Sequence, residues 1–212
     1  MKLQVSIDLV SLEQALNLLK EVAQYVDIIE AGTPLIKQEG LRVVTAFKQA
    51  YPDKLIFADM KTMDAGELEA ELAFQAGADI TTVLAVANDA TLSGAIAAAQ
   101  KYGKSVTADM IGVHDRLQRA KELKQLGIQS LEMHWGLDEQ AHHNWDFNEL
   151  RVIKDTVGIP FAVAGGINET TINQVQATGA EVAAVGGAIY NATSPVEMAL
   201  RLRSQISALS TV

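Results

Sequence analysis

The chain has 212 residues, 49% of them hydrophobic, which is enough for one sizeable core and ordinary for a single α/β barrel. A formal net charge of -9 argues against a protein whose main work is holding nucleic acid or an anionic membrane, since both need a basic surface; local phosphate binding stays open. Cysteine is absent, which removes disulfides, thiolate metal sites and a thiol nucleophile, and Met1 runs into a strand pattern without a signal-like apolar stretch, so a cytoplasmic protein is expected.

In chain order, one unit recurs. Leu3 to Leu9 reads as a short strand ending at Asp8, and Ser11-Leu12-Glu13-Gln14 has the form of a capping box opening a helix. Leu12, Ala15, Leu16, Leu19 and Val22 form that helix's inner face. Val26 to Ile29 is the next apolar run, ending at Glu30 and Gly32, and Glu39 to Ala50 follows as a helix stopped near Pro52. Leu55 to Ala58 is a strand emerging into Asp59, Lys61 and Asp64, with a helix from about Gly66 to Ala76. Strands at Ile80 to Ala85, Ser105 to Met110, Ser130 to His134, Phe161 to Ala164 and Val182 to Val185 alternate with helices at Asp89 to Tyr102, Arg116 to Leu126, Asn148 to Thr156 and Glu169 to Ala177. Ser194-Pro195-Val196-Glu197 starts the last helix.

Ala76-Gly77-Ala78-Asp79, Leu126-Gly127-Ile128-Gln129 and Thr178-Gly179-Ala180-Glu181 each supply a capping glycine before an apolar strand. Eight β-α units predict one closed (β/α)8 TIM barrel over residues 1–212 as a single domain. An open doubly wound sheet is disfavoured, because Asp8-Leu9-Val10-Ser11 lacks the dinucleotide-binding glycines. Only Trp135 to Phe147 is long for a β-α connection.

The C-terminal strand ends of such a barrel converge on one pocket. Here they carry Asp8, Glu30, Asp59 with Lys61, Asp109, His134, Gly165-Gly166 and Gly186-Gly187. Singly, each has a dull explanation: Asp8 or Asp109 as a helix cap, His134 as a satisfied core imidazole, the glycines as tight turns. Together they are hard to dismiss, because acids gathered round one mouth repel one another unless Lys61 and a metal offset them. In extended chain, Asp59 and Lys61 share a face. Glu30 and Asp59 lie on neighbouring strands, about 4.8 Å apart in an ordinary sheet, and as oxygen ligands they suit Mg²⁺, with Mn²⁺ as substitute, better than zinc. His142-His143 reads as a solvated pair rather than a zinc site. Ala164-Gly165-Gly166 and Gly186-Gly187 stand where a barrel offers backbone N–H groups to phosphate.

Asp8, Glu30-Ala31-Gly32-Thr33-Pro34, Asp59-Met60-Lys61-Thr62-Met63-Asp64-Ala65-Gly66 and His134 together resemble the orotidine-phosphate-decarboxylase-type barrels, and within them the 3-hexulose-6-phosphate synthases. That resemblance implies a Mg²⁺-dependent aldol condensation of formaldehyde with ribulose 5-phosphate through a cis-enediolate, with Glu30 and Asp59 on the metal. It implies Lys61, His134, Asp8, Asp109 and Asp64 as the catalytic set, in a homodimer whose sites borrow Asp64 from the partner. The neighbouring branch, 3-keto-L-gulonate-6-phosphate decarboxylase, is the alternative, and a non-catalytic sugar-phosphate binder a remote one. Asp109 and Leu137 resemble the synthase pattern, where the decarboxylase would show Glu and Arg. Gly187 stands where the decarboxylase has a phosphate-binding Arg, so phosphate would rest on backbone N–H groups.

Overall fold

In the computed structural model, which describes residues 1–140 and 145–208, eight parallel strands close into one barrel in chain order. They are β1 (Lys2–Ile7), β2 (Ile28–Ala31), β3 (Leu55–Thr62), β4 (Ile80–Leu84), β5 (Ser105–Asp109), β6 (Ser130–His134), β7 (Phe161–Ala164) and β8 (Val182–Val185). Around them run α1 (Leu12–Val22), α2 (Thr33–Glu39), α3 (Arg42–Ala50), α4 (Gly66–Gln75), α5 (Asp89–Tyr102), α6 (Arg116–Leu126), α7 (Phe147–Val157), α8 (Ile172–Ala177), α9 (Gly187–Tyr190) and α10 (Pro195–Ala208). The His142-His143 pair lies outside the described residues. Among the described residues no helix is long and apolar enough to cross a membrane.

The expected helix over Glu39 to Ala50 starts later, at Arg42, and a second helix that was not expected, α2, precedes it. Pro34 seats the first turn of α2 directly after Gly32, and Gly40, at φ +66, breaks the chain before α3. The short helix α9 was not foreseen, because the glycine pair at its start reads as a turn; α8 likewise starts at Ile172 rather than Glu169.

The helix-to-strand joints show what the internal repeat is for. Asp79, two residues past the capping Gly77, exchanges bonds with β3: its N–H donates to Ile56 O (2.8 Å) and its Oδ2 accepts from Ile56 N (2.9 Å). Asp27 does the same for Leu3 at β1, and Gln129 Oε1 accepts from Val106 N (2.9 Å) at β5. These side chains satisfy backbone groups that the staggered strand starts leave without a ladder partner. Arg203 then forks onto Asp27 at 2.6 and 3.0 Å, tying α10 beneath the barrel.

Asp79 also holds Lys48 (2.9 Å) and Lys104 (2.6 Å). Burial pushes its carboxyl up, but the bonds from Lys104, Ile56 N–H and Lys48 outweigh burial and bring it below 3.8. A carboxyl lowered on folding contributes stability that is whole above 3.8 and lost as pH falls through the folded value. Asp79→Ala should therefore cost about 2–3 kcal/mol in urea unfolding at neutral pH. The difference should shrink toward zero in acid below the folded value, and an equal gap at both pH values would contradict this role.

Candidate active site

β3 is the strand on which the site is built. Phe57 and Ala58 pair with Ile80 and Thr81, but Thr62 pairs with Val83, so the register shifts across Asp59, Met60 and Lys61. Lys61 sits in the left-handed region at φ +47. Its backbone N–H leaves the ladder and donates to Thr82 Oγ1 (2.9 Å), while the Thr82 hydroxyl donates to Asp59 Oδ1 (2.8 Å). The expected Asp59–Lys61 pairing therefore forms, but through a bulge rather than through simple strand alternation.

Lys61 Nζ lies 2.9 Å from Asp59 Oδ2 and 2.7 Å from Asp109 Oδ2. Desolvation works against its charge, but the carboxylates of Asp59, Asp109 and Glu132 outweigh it and hold the ammonium protonated. His134 Nδ1 is 3.0 Å from the same Asp109 Oδ2, and Asp109 Oδ1 accepts from Ile111 N (2.9 Å). Burial pushes the Asp109 carboxyl up, yet the bond and charge of His134 and the Lys61 ammonium bring it down to about 2. Asp109 thus also serves its own turn, as the plainer reading allowed. In the neutral form of His134, an Nδ1–H donated to the Asp109 carboxylate leaves Nε2 as the lone-pair acceptor.

Glu30 pairs in register with Phe57, not with Asp59, so the two proposed metal carboxylates are not directly across from each other as expected. Asp59 stands one inward position higher, about 6.6 Å further along its strand, because barrel shear staggers neighbouring strands. They still share one electrostatic neighbourhood. Burial, then Asp59 and Asp8, push the Glu30 carboxyl up to about 8 against hydrogen bonds from Ser6 and Gln4. Glu30 Oε2 takes both of those bonds, and Asp59 accepts from Thr33 Oγ1 (2.7 Å) as well as Thr82. Buried hard-oxygen donors, oriented by a second layer and carrying surplus negative charge, fit a divalent ion such as Mg²⁺.

Asp8 stands at the rim after β1, against Gly32 and Gly186. Burial, then the charge of Asp59, raises its carboxyl, with Lys61 and His134 opposing. β7 and β8 are neighbours, with Ala164 across from Ala184, so Gly165-Gly166 and Gly186-Gly187 stand side by side. Gly165 has φ +97 and a Cβ there would lie 2.1 Å from Trp135 O, so only glycine fits. Trp145 Nε1 pins this turn by donating to Gly165 O (2.9 Å). Asp64 does not join its own chain's cluster: it is exposed, accepts from Ala65 N (2.8 Å), and the left-handed Ala65 turns the chain into α4.

Three groups were missed from sequence. Glu132 is buried one inward position below His134 and level with Asp109, and the alternation Glu132-Met133-His134 signals it once strand parity is followed below the rim. Thr82 is the polar one among the inward residues of β4, where no charge drew notice. Tyr190 lies against both Gly186 and Gly187, its phenol raised by burial, then by Asp8 and Glu30.

Residues 1–202 match the family described as Orotidine 5'-phosphate decarboxylase / HUMPS. The chain belongs to that family. Within it, the chain is 56% identical over 207 residues to the 3-hexulose-6-phosphate synthase of Mycobacterium gastri, covering 98% of this chain and 100% of the relative. To the 3-hexulose-6-phosphate synthase of Bacillus subtilis it is 43% identical, covering 97% and 99%. A crystal structure of 3-hexulose-6-phosphate synthase superposes with a TM-score of 0.93 at 57% identity, over 97% of this chain and 100% of the other. A crystal structure of KGPDC from Streptococcus mutans superposes with a TM-score of 0.92 at 27% identity, over 98% and 97%. The family barrel, closed and parallel, is the one described above.

Proposed function

We propose that the chain is an aldehyde-lyase that condenses formaldehyde with D-ribulose 5-phosphate to 3-hexulose 6-phosphate, with a Mg²⁺ ion on Glu30 and Asp59. The observation that carries this reading is the chain of contacts Lys61–Asp109–His134, an ammonium and an oriented imidazole sharing one buried carboxylate oxygen. The relatives with the highest identities quoted above bear the same reaction name.

Held between the glycine turns of β7 and β8 and the carboxylates of β2 and β3, a pentose phosphate would span the mouth. Its phosphate would take backbone N–H groups at Gly165, Gly166, Gly186 and Gly187, and Asp8 would hold its hydroxyls. Glu30 and Asp59 would hold the Mg²⁺, which would supply positive charge near the substrate's carbonyl end when bound. His134 Nε2 takes the C1 proton, and the Lys61 ammonium faces the negative charge that results. C1 then attacks the formaldehyde carbon; the carbonyl electron pair moves to oxygen, which takes the proton back from His134. Atoms and charge balance with one base.

Decarboxylation of a keto-sugar-acid phosphate uses the same enediolate, and the superposition with a KGPDC structure keeps it as the second reading. The exposed, apolar Leu137 offers no guanidinium for a substrate carboxylate, which favours the condensation. Pure protein should consume formaldehyde only when ribulose 5-phosphate and Mg²⁺ are both present, and EDTA should abolish turnover until Mg²⁺ or Mn²⁺ returns. Consumption that survives exhaustive chelation, or faster decarboxylation than condensation, would overturn the assignment.

A homodimer with shared sites follows from the same reading. Asp64 borders a groove of about 490 Å³ with Leu68, Glu71 and Thr91, and Leu68 there leaves apolar surface exposed, as do Met63 and Leu72 close by in the chain. Such a surface suits a second copy, whose Lys61 the carboxylate of Asp64 would reach. Asp64→Asn and Glu30→Gln should each be nearly inactive, while mixed dimers of the two should regain activity, because one site in each would be intact. Mixed dimers that form and stay dead would exclude the shared site.

A further inference from the structure

Glu132 is an acid of the barrel mouth that feels the Lys61 ammonium only at a distance. It is 2% exposed, and among the described residues no hydrogen bond or ion pair reaches its carboxyl. Its neighbours differ: Glu30 accepts from Gln4 and Ser6, Asp59 from Thr33, Thr82 and Lys61, and Asp109 from Lys61, His134 and Ile111. The Lys61 ammonium is already taken up by Asp59 and Asp109. Burial, then the charges of Asp109, Glu30 and Asp59, raises the Glu132 carboxyl well above the ordinary carboxylate range, with the Lys61 ammonium opposing without prevailing.

One oxygen of Glu132, one of Asp109 and one ring nitrogen of His134 all lie within 4.8 Å of one another. His134 Nδ1 and Asp109 Oδ2 are 3.0 Å apart. Two ligands on a tetrahedral ion with bonds of about 2.0–2.2 Å stand about 3.3–3.5 Å apart, so small side-chain movements would bring all three onto one ion. The donor set is one imidazole and two carboxylates, unlike the all-oxygen pair Glu30 and Asp59. Mixed nitrogen and oxygen ligands suit zinc and its neighbours, whereas magnesium prefers oxygen alone.

We propose that Asp109, Glu132 and His134 form a second cation site, one that takes an imidazole-binding divalent ion such as Zn²⁺ and whose filling stops the reaction. Zinc bound there would compete with Lys61 for the Asp109 carboxylate, and it would fix the imidazole that serves as base. The proton carried by Glu132 passes to solvent as its bond to the ion forms, while the neutral imidazole keeps its one proton on whichever ring nitrogen does not bind. The binding half of the proposal stands independently of the synthase reading; the inhibition half rests on it.

The test uses the full chain dialysed into saturating Mg²⁺ and titrated with ZnCl2, reading bound zinc by elemental analysis alongside turnover. Wild type should retain one Zn²⁺ per chain in excess Mg²⁺, and tenfold more Mg²⁺ should not relieve the inhibition. Glu132→Gln should lose the retained zinc and raise the half-inhibitory zinc concentration by at least about tenfold relative to its own uninhibited rate. Should that variant fail to fold, Co²⁺ added to Mg²⁺-saturated wild type should give ligand-field absorption bands that zinc removes. Zinc that washes out in excess Mg²⁺, absent cobalt bands, or a folded Glu132→Gln with unchanged zinc retention would each overturn the site. Retention of zinc by a protein that shows no condensation would instead support the binding half while refuting the synthase reading.

Discussion

A single ammonium, Lys61 Nζ shared between Asp59 and Asp109, is the interaction on which the barrel mouth depends. Glu30, Asp59, Asp109 and Glu132 are each at most 5% exposed, and carboxylates at that depth are stable only beside positive charge or a proton. Removing one partner of a buried ion pair typically costs about 3–5 kcal/mol. The left-handed backbone at Lys61 costs about 1–2 kcal/mol, so the ion pairs prevail and the strand bulges to deliver the ammonium. The register shift, the Thr82 bond and the orientation of His134 through Asp109 all follow from that placement.

The same constraint explains how the site divides its work around the ring. The β2 and β3 carboxylates lie on one side of the mouth and the β7 and β8 glycines on the other, with Asp8 between them on β1. In the proposed reaction, negative charge would collect where a cation and an electron-rich intermediate are handled, and uncharged backbone would be presented where the anion is held. A phosphate beside the acids would be repelled; in the proposed site, beside Gly165-Gly166 and Gly186-Gly187, it would meet N–H groups instead. Tyr190 and the pinned Trp145 keep that second region compact without adding charge.

Much of this was legible in the sequence, and the residues show why the rest was not. Alternation of apolar runs with capped helices reveals eight β-α units because each unit carries its own stop signals, Gly77, Gly127 and Gly179 among them. Asp59, Lys61, Asp109 and His134 stand at strand ends, where polar residues are conspicuous against apolar strands. Glu132 lies one inward position below His134 on β6 and Thr82 one inward position below the level of Asp109, where only strand parity marks them as inward. The bulge at Lys61 depends on partners from β4 and β5 and has no local signature, and the stagger of Glu30 against Phe57 is set by barrel shear. Helix α2 was hidden because Thr33 and Pro34 read as part of the strand-end motif rather than as a first turn.

The central claim is that the Lys61 ammonium and the His134 imidazole, joined through Asp109, generate an enediolate whether or not an acceptor aldehyde is present. Proton NMR of ribulose 5-phosphate in deuterated buffer with Mg²⁺ and without formaldehyde reads that step alone. Wild type should exchange a C1 proton for deuterium, while folded Lys61→Ala and His134→Gln should lose nearly all exchange. No exchange by the wild type, or undiminished exchange by folded Lys61→Ala, would contradict the account.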